Sequence, residues 1–125
     1  KRTATMSQSS SPLATSYLRF LQLVKAVEGS PTQPSLDANE SALLDALAVQ
    51  WLADSPLTVM QAMGLSDLGS PATMHRRIAR LRKMGLIATD EDPNDTRIKR
   101  LVLTPVAVTH FEQLGQSLHT AVATT

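Results

Sequence analysis

Five cations stand close together at Arg76, Arg77, Arg80, Arg82 and Lys83, with Ser70, Thr73 and His75 just ahead and no acid among them. A second group, Arg97, Lys99 and Arg100, follows a run of acids, Asp90, Glu91, Asp92 and Asp95. A guanidinium offers paired donors to a phosphate or to the two acceptors of a guanine, whereas an ammonium acts as a point charge. Threonine and histidine add short-range donors and acceptors beside them. Eight of the twelve Lys and Arg residues fall between Arg76 and Arg100, although the net charge of the chain is only +1. Polyanion binding depends on local rather than summed charge, so this clustering points to a nucleic-acid partner. The plain alternative is a solvated helix face. Such a face ordinarily mixes in acids that pair with the cations at i to i+4, and this stretch has none.

The cations need an element to hold them. Ser70 is a helix N-cap, Pro71 suits the first helical position and Gly85 closes the segment, so one helix of about four turns is bracketed by its own start and stop signals. Met74, Ile78 and Leu81 form its narrow apolar stripe. Leu86, Ile87 and Ala88 begin an extended run, Asp90 to Asp95 reads as a polar turn, and Thr96 to Leu103 is a second extended run rich in branched residues. Upstream, Thr58 caps a short helix from Val59 to Met63 that Gly64 stops, and Ser66 to Gly69 turns into the Ser70 helix. Two helices joined by a turn, with a hairpin after the second, give a winged helix-turn-helix, mostly α with a small β-hairpin wing. On the basic helix Arg76 and Arg80, with Thr73 and His75, are the candidates for reading bases. Arg77, Arg82, Lys83, Lys99 and Arg100 are candidates for phosphates. The four acids near the hairpin tip would repel phosphate unless they pair locally.

Residues 1–11 read as a disordered N-terminal arm, basic and then polar, without the apolar stretch of a secretory signal. Residues 12–125 read as a single winged-helix domain. Ser11 and Pro12 start a helix to about Glu28, with Leu13, Tyr17, Phe20, Leu21 and Val24 on one stripe and Leu18 and Leu23 off it, more apolar surface than one core contact uses. Gly29 to Pro34 is a linker by composition. Asp37 and Glu40 form a capping box opening a helix with Leu43, Leu44, Leu47, Trp51 and Leu52 at helical spacing, ended by Ser55 and Pro56. Trp51 and the methionines at 60, 63, 74 and 84 read as core. Thr104 and Pro105 start a last helix carrying Val108, Phe111, Leu114 and Leu118.

Composition narrows the function further. The chain has no cysteine, which excludes disulfides, thiolate metal sites and cysteine nucleophiles. No apolar run approaches the ~20 residues needed to cross a bilayer. His110 and His119 do not share a helix face and have no paired carboxylates, so no metal site is expected. No nucleophile elbow, catalytic carboxylate pair or glycine-rich phosphate loop occurs. Neither enzymatic activity nor a cofactor is expected.

Residues 37–114 resemble the multiple-antibiotic-resistance-regulator (MarR) family of winged-helix transcription factors. The resemblance rests on Ser70, Thr73, Met74, Arg76, Ile78, Arg80 and Leu81, then Gly85-Leu86-Ile87, Asp92, Asp95, Arg97 and Leu103-Thr104, in that order and spacing. Two departures are Arg77, where a leucine is usual, and Ala107, where glycine is common. The resemblance implies that Asp95 holds Arg97 for the minor groove, and that residues 37–104 are the DNA-binding core. It also implies that helices 12–28 and 105–122 build a homodimer on double-stranded DNA. A small-molecule effector and repression in a bacterial cytoplasm follow from it as well. The competing expectation is a winged helix that binds a protein instead of a specific DNA sequence.

Overall fold

The computed structural model describes residues 11–123; of the expected arm at residues 1–11, all but Ser11 lies outside them, and Ser11 instead caps the first helix. The elements follow the capping signals. Helix α1 is Pro12–Glu28, α2 is Ala38–Leu52, α3 is Val59–Met63 and α4 is Pro71–Lys83, with one 3₁₀ turn at Ser66–Leu68. Strands β1 (Ile87–Asp92) and β2 (Asp95–Leu103) follow, then α5 (Pro105–Ala123). The described chain forms two compact units: residues 36–108, and the segments on either side of them.

In the 36–108 unit every α-helix start is capped by the residue that the sequence marks. Asp37 accepts the Glu40 amide at 2.7 Å while Glu40 Oε1 accepts the Asp37 amide at 3.0 Å, a reciprocal box on α2. Thr58 and Gln61 repeat the arrangement on α3. Helix α4 ends in a Schellman motif: the Leu86 amide reaches Leu81 O at 3.0 Å and the Gly85 amide reaches Arg82 O at 3.0 Å. That closure requires the left-handed backbone of Gly85, φ 79°. Leu43, Leu44 and Leu47 of α2 pack with Met74, Ile78 and Leu81 of α4, with Ala62, and with Leu86, Ile87 and Leu101, all buried. Each such large aliphatic side chain contributes roughly 1.5–3 kcal/mol relative to exposure. The stripe that anchors α4 is therefore the one its sequence spacing specifies.

The hairpin is antiparallel, with Ile87 opposite Leu103, Thr89 opposite Leu101 and Glu91 opposite Lys99. Its turn is shorter than the six polar residues suggest. Both strands run up to it, leaving only Pro93 and Asn94 between them. Asp92 Oδ1 makes this possible by accepting the Asn94 amide at 2.7 Å and the Asp95 amide at 3.2 Å. A third extended piece, absent from the sequence reading, braces the hairpin root. Thr58 bridges to Arg100, and the Leu101 amide bonds Leu57 O at 2.8 Å. Thr104 closes the other end: its amide reaches Leu86 O at 3.3 Å, its hydroxyl donates to Gly85 O, and it accepts the Ala107 amide at 3.2 Å.

Three expectations change. Helix α2 stops at Leu52, before Ser55-Pro56, because Asp54 turns into a positive φ of 61°. Leu52, at the last position of α2, is 80% exposed rather than core, and Trp51 is only partly buried. Met60 is likewise 80% exposed, because α3 turns Ala62 inwards instead.

The other unit contains α1, the loop after it and most of α5. No residue of α1 is buried: Leu13, Tyr17, Leu18 and Leu21 of its apolar surface are exposed, and Phe20, Leu23 and Val24 are half-buried. The composition-based linker holds one fixed point. Gln33 is buried, accepts from His110 Nδ1 at 2.6 Å and donates to Gln113. His119 is exposed.

Candidate nucleic-acid interface

Helix α4 presents its cations because its apolar stripe is narrow. With Met74, Ile78 and Leu81 turned inwards, Ser70, His75, Arg76, Arg80, Arg82 and Lys83 are exposed. Ser70 Oγ accepts the Thr73 amide at 3.3 Å and donates to Thr73 Oγ1 at 3.0 Å, which fixes the first turn and the Thr73 side chain together. Exposed His75 and Arg76 stand in the N-terminal half of the helix, Arg82 and Lys83 at its end.

Two of the arginines are tied to the protein. Arg80 Nε donates to Glu40 Oε2, and the Glu40 side chain is 7% exposed against 52% for Arg80. Glu40 thus caps α2 with one oxygen and grips α4 with the other. Arg77 is half-buried, and its guanidinium donates to the carbonyl of Leu68 at the end of the 3₁₀ turn. The sequence marks Glu40 as a capping residue, but nothing local reveals its second partner forty positions away.

The hairpin answers the electrostatic objection raised by its acids. Asp95 clasps Arg97 through Nε at 3.0 Å and Nη2 at 2.9 Å, and also accepts the Arg97 amide at 3.1 Å. Arg97 remains 88% exposed. Glu91 pairs with Lys99 and Asp92 with Arg100 across the strands. The Arg100 guanidinium, then the Asn94 amide, lower the Asp92 pKa below its ordinary value. The Arg97 side chain does the same for Asp95, and Asp95 in turn raises Arg97. Three of the four tip acids therefore carry their own cation, and the exposed Asp90 is the fourth. Arg82 from α4 and Arg97 and Lys99 from β2 line one open groove of about 560 Å³, with Met60 and Ile98 on its apolar side. The two sequence clusters meet there.

No protein-family model and no curated protein matches the chain. Solved structures do. The chain is similar to S. aureus MepR bound to ethidium bromide, with 19% identity over 84% of this chain and 71% of that one and a TM-score of 0.66. It is also similar to a mutant MepR bound to an oligodeoxyribonucleotide, with 19% identity, 82% and 72% covered and a TM-score of 0.61. The zinc-responsive MarR family member ZitR of Lactococcus lactis matches with 20% identity, 78% and 62% covered and a TM-score of 0.51. At these identities the likeness is one of fold. Mostly helical with a two-stranded hairpin, the chain has the winged helix-turn-helix fold of the MarR-type regulators.

Proposed function

We propose that the chain is a sequence-specific regulator of transcription that binds double-stranded DNA as a homodimer, and is not an enzyme. The observation that carries this reading is the pairing of an acid-free cationic helix face with a wing whose most exposed arginine is already held in place. In this reading α4 enters the major groove. Arg76, with Thr73 and His75, contacts base edges, and Arg82 and Lys83 bind phosphate. Arg97, aligned by the Asp95 carboxylate, enters the narrower minor groove. Arg80, Lys99 and Arg100, each bonded to an acid, present their remaining charge to the backbone.

Two sets of exposed apolar side chains support a second copy as partner: Leu13, Tyr17 and Leu18 on α1, and Val106, Leu118 and Val122 on α5. Apolar surface of this kind on a monomer ordinarily marks an interface. A two-fold dimer places two α4 helices about one DNA turn apart, so the operator is a pseudo-palindrome. Binding over a promoter represses it, and a small-molecule effector releases it; that MepR is seen bound to a small molecule, ethidium bromide, supports an effector of this class. No described helix is long and apolar enough to cross a membrane, and the place of action in this reading is the bacterial cytoplasm.

The test is fluorescence anisotropy of labelled random duplex DNA with the wild type, Arg76→Ala and Arg97→Ala across a salt series. Each phosphate neutralised contributes about 0.9 to the slope of log K against log salt. Steep salt dependence, with both substitutions weakening binding, supports the reading. Wild-type binding no tighter than that of the substituted proteins at low salt refutes it and leaves the protein-interaction alternative.

A further inference from the structure

We infer that Arg77 is a positioning residue of the helix-turn-helix turn and does not contact phosphate. The inference rests on the DNA-binding reading only for its consequence, since the geometry lies within the protein. Arg77 is half-buried, unlike the exposed Arg76, Arg82 and Lys83, and its Nη1 donates to Leu68 O, nine residues back. That carbonyl lies at the end of the 3₁₀ turn, where helical partners run out and a part-buried carbonyl gains from another donor. The next residue, Gly69, has φ 151° and ψ 172°, a region that residues with a Cβ essentially avoid. A Cβ at Gly69 would also stand 2.9 Å from Arg77 Nη1 and 3.2 Å from Thr73 Cγ2. Gly69 and Arg77 therefore form one device. The glycine lets the chain pass close under the guanidinium, and the guanidinium fastens the turn to the middle of α4. Ser70, which caps α4 and bonds Thr73, is the next residue. Fixing Leu68 and Gly69 thus sets where the reading end of α4 starts.

A lysine keeps the charge but lacks the planar fork, and a leucine keeps much of the apolar body without the donor. The experiment compares Arg77→Lys, Arg77→Leu and Gly69→Ala with the wild type, after thermal unfolding has shown each to be folded. Gly69→Ala perturbs the same device without touching its charge. The first readout is amide exchange in the free protein. The Leu68 and Met74 amides, bonded to Leu65 O and Ser70 O, are expected to exchange about tenfold faster in all three variants, the loss anticipated for a hydrogen bond from a charged donor. The second is DNA binding, using a duplex enriched by the wild type from a random library and its scrambled control. The ratio of the two affinities is expected to fall in all three, Arg77→Lys included, while the salt slope stays at the wild-type value. A salt slope smaller by about 0.9 in Arg77→Leu, with amide exchange unchanged, assigns Arg77 to a phosphate and overturns the inference. Wild-type exchange in Gly69→Ala and Arg77→Lys overturns it equally. If the wild type binds no duplex, the DNA reading fails and the exchange rates alone decide the role of Arg77.

Discussion

Glu40 gives the sharpest stability test, because a single carboxylate serves two helices. Replacing it, Glu40→Ala, removes the bond to the Asp37 amide, 3.0 Å, which closes the α2 box. Loss of such a cap costs about 1 kcal/mol. It also removes the pair with Arg80, which lies between the exposed and buried cases since one partner is 7% and the other 52% exposed. Solvent screening of the Arg80 side holds that contribution to about 1 kcal/mol, far below the value for a fully buried pair. Together these predict a loss of about 2 kcal/mol and a midpoint lower by ~8 °C for a domain of this size. Glu40→Gln keeps an oxygen for the Asp37 amide and should lose only about half as much. Urea and thermal unfolding, followed by helix circular dichroism and by Trp51 fluorescence as a reporter on α2, measure the change. The decisive quantity is the coupling in a cycle of Glu40→Ala, Arg80→Ala and the double variant, expected near 1 kcal/mol. Coupling within about 0.3 kcal/mol of zero would show that the two helices do not lean on each other through this pair.

Three other perturbations separate packing, backbone and charge. Leu81→Ala, at a fully buried position of α4, should cost about 2–5 kcal/mol in urea unfolding, with a loss under 1 contradicting its place in the core. Gly85→Ala meets no atom within 4 Å but must hold φ 79°, so its cost should be the backbone term alone, about 1–2 kcal/mol. A much larger loss would mean that the Schellman closure is more crowded than described. The wing should respond to acid in a defined window. Asp92 and Asp95 have lowered pKa values in the fold, so their contribution is complete above the ordinary carboxylate value near ~4 and is lost as pH falls through the folded values. Protection of the Asn94 and Arg97 amides against exchange, taken relative to the intrinsic rate at each pH and read by NMR, should be constant down to about pH 5 and fall below ~4. Loosening between pH 5 and 6 would assign the titration to another group.

What was legible in the sequence was local. Ser70, Pro71 and Gly85 bound α4 because caps and a positive-φ terminator act within a few residues, and the Met74, Ile78 and Leu81 stripe follows from helical period alone. What was illegible depended on distant partners. Leu57 and Thr58 join the wing only because β2 passes beside them, and two residues after Pro56 carry no strand pattern of their own. The exposure of Leu52 and Met60 is decided by which neighbours arrive, not by spacing. At the wing the acidic composition concealed strand: Asp90, Glu91 and Asp92 look like turn residues, but Glu91 sits opposite Lys99, which pairs with it, and Asp92 reaches diagonally across the strands to Arg100. The twelve candidate contact residues were all visible as polar or charged. Their division into groups facing outwards and groups fastened inwards, as with Arg77, was not.

The charge arrangement of α4 and the hairpin has a kinetic consequence for the proposed function. Helix α4 carries five cations and no acid, whereas the hairpin from Ile87 to Leu103 carries three cations against four acids. Only the helix casts a field that reaches a polyanion from afar, and the hairpin is close to neutral until it touches. In the proposed DNA-binding role, arrival on the duplex is governed by α4, and charge removal there should slow association. The hairpin engages after arrival, through a guanidinium already aligned, so its substitutions should shorten the residence time and leave the encounter rate unchanged.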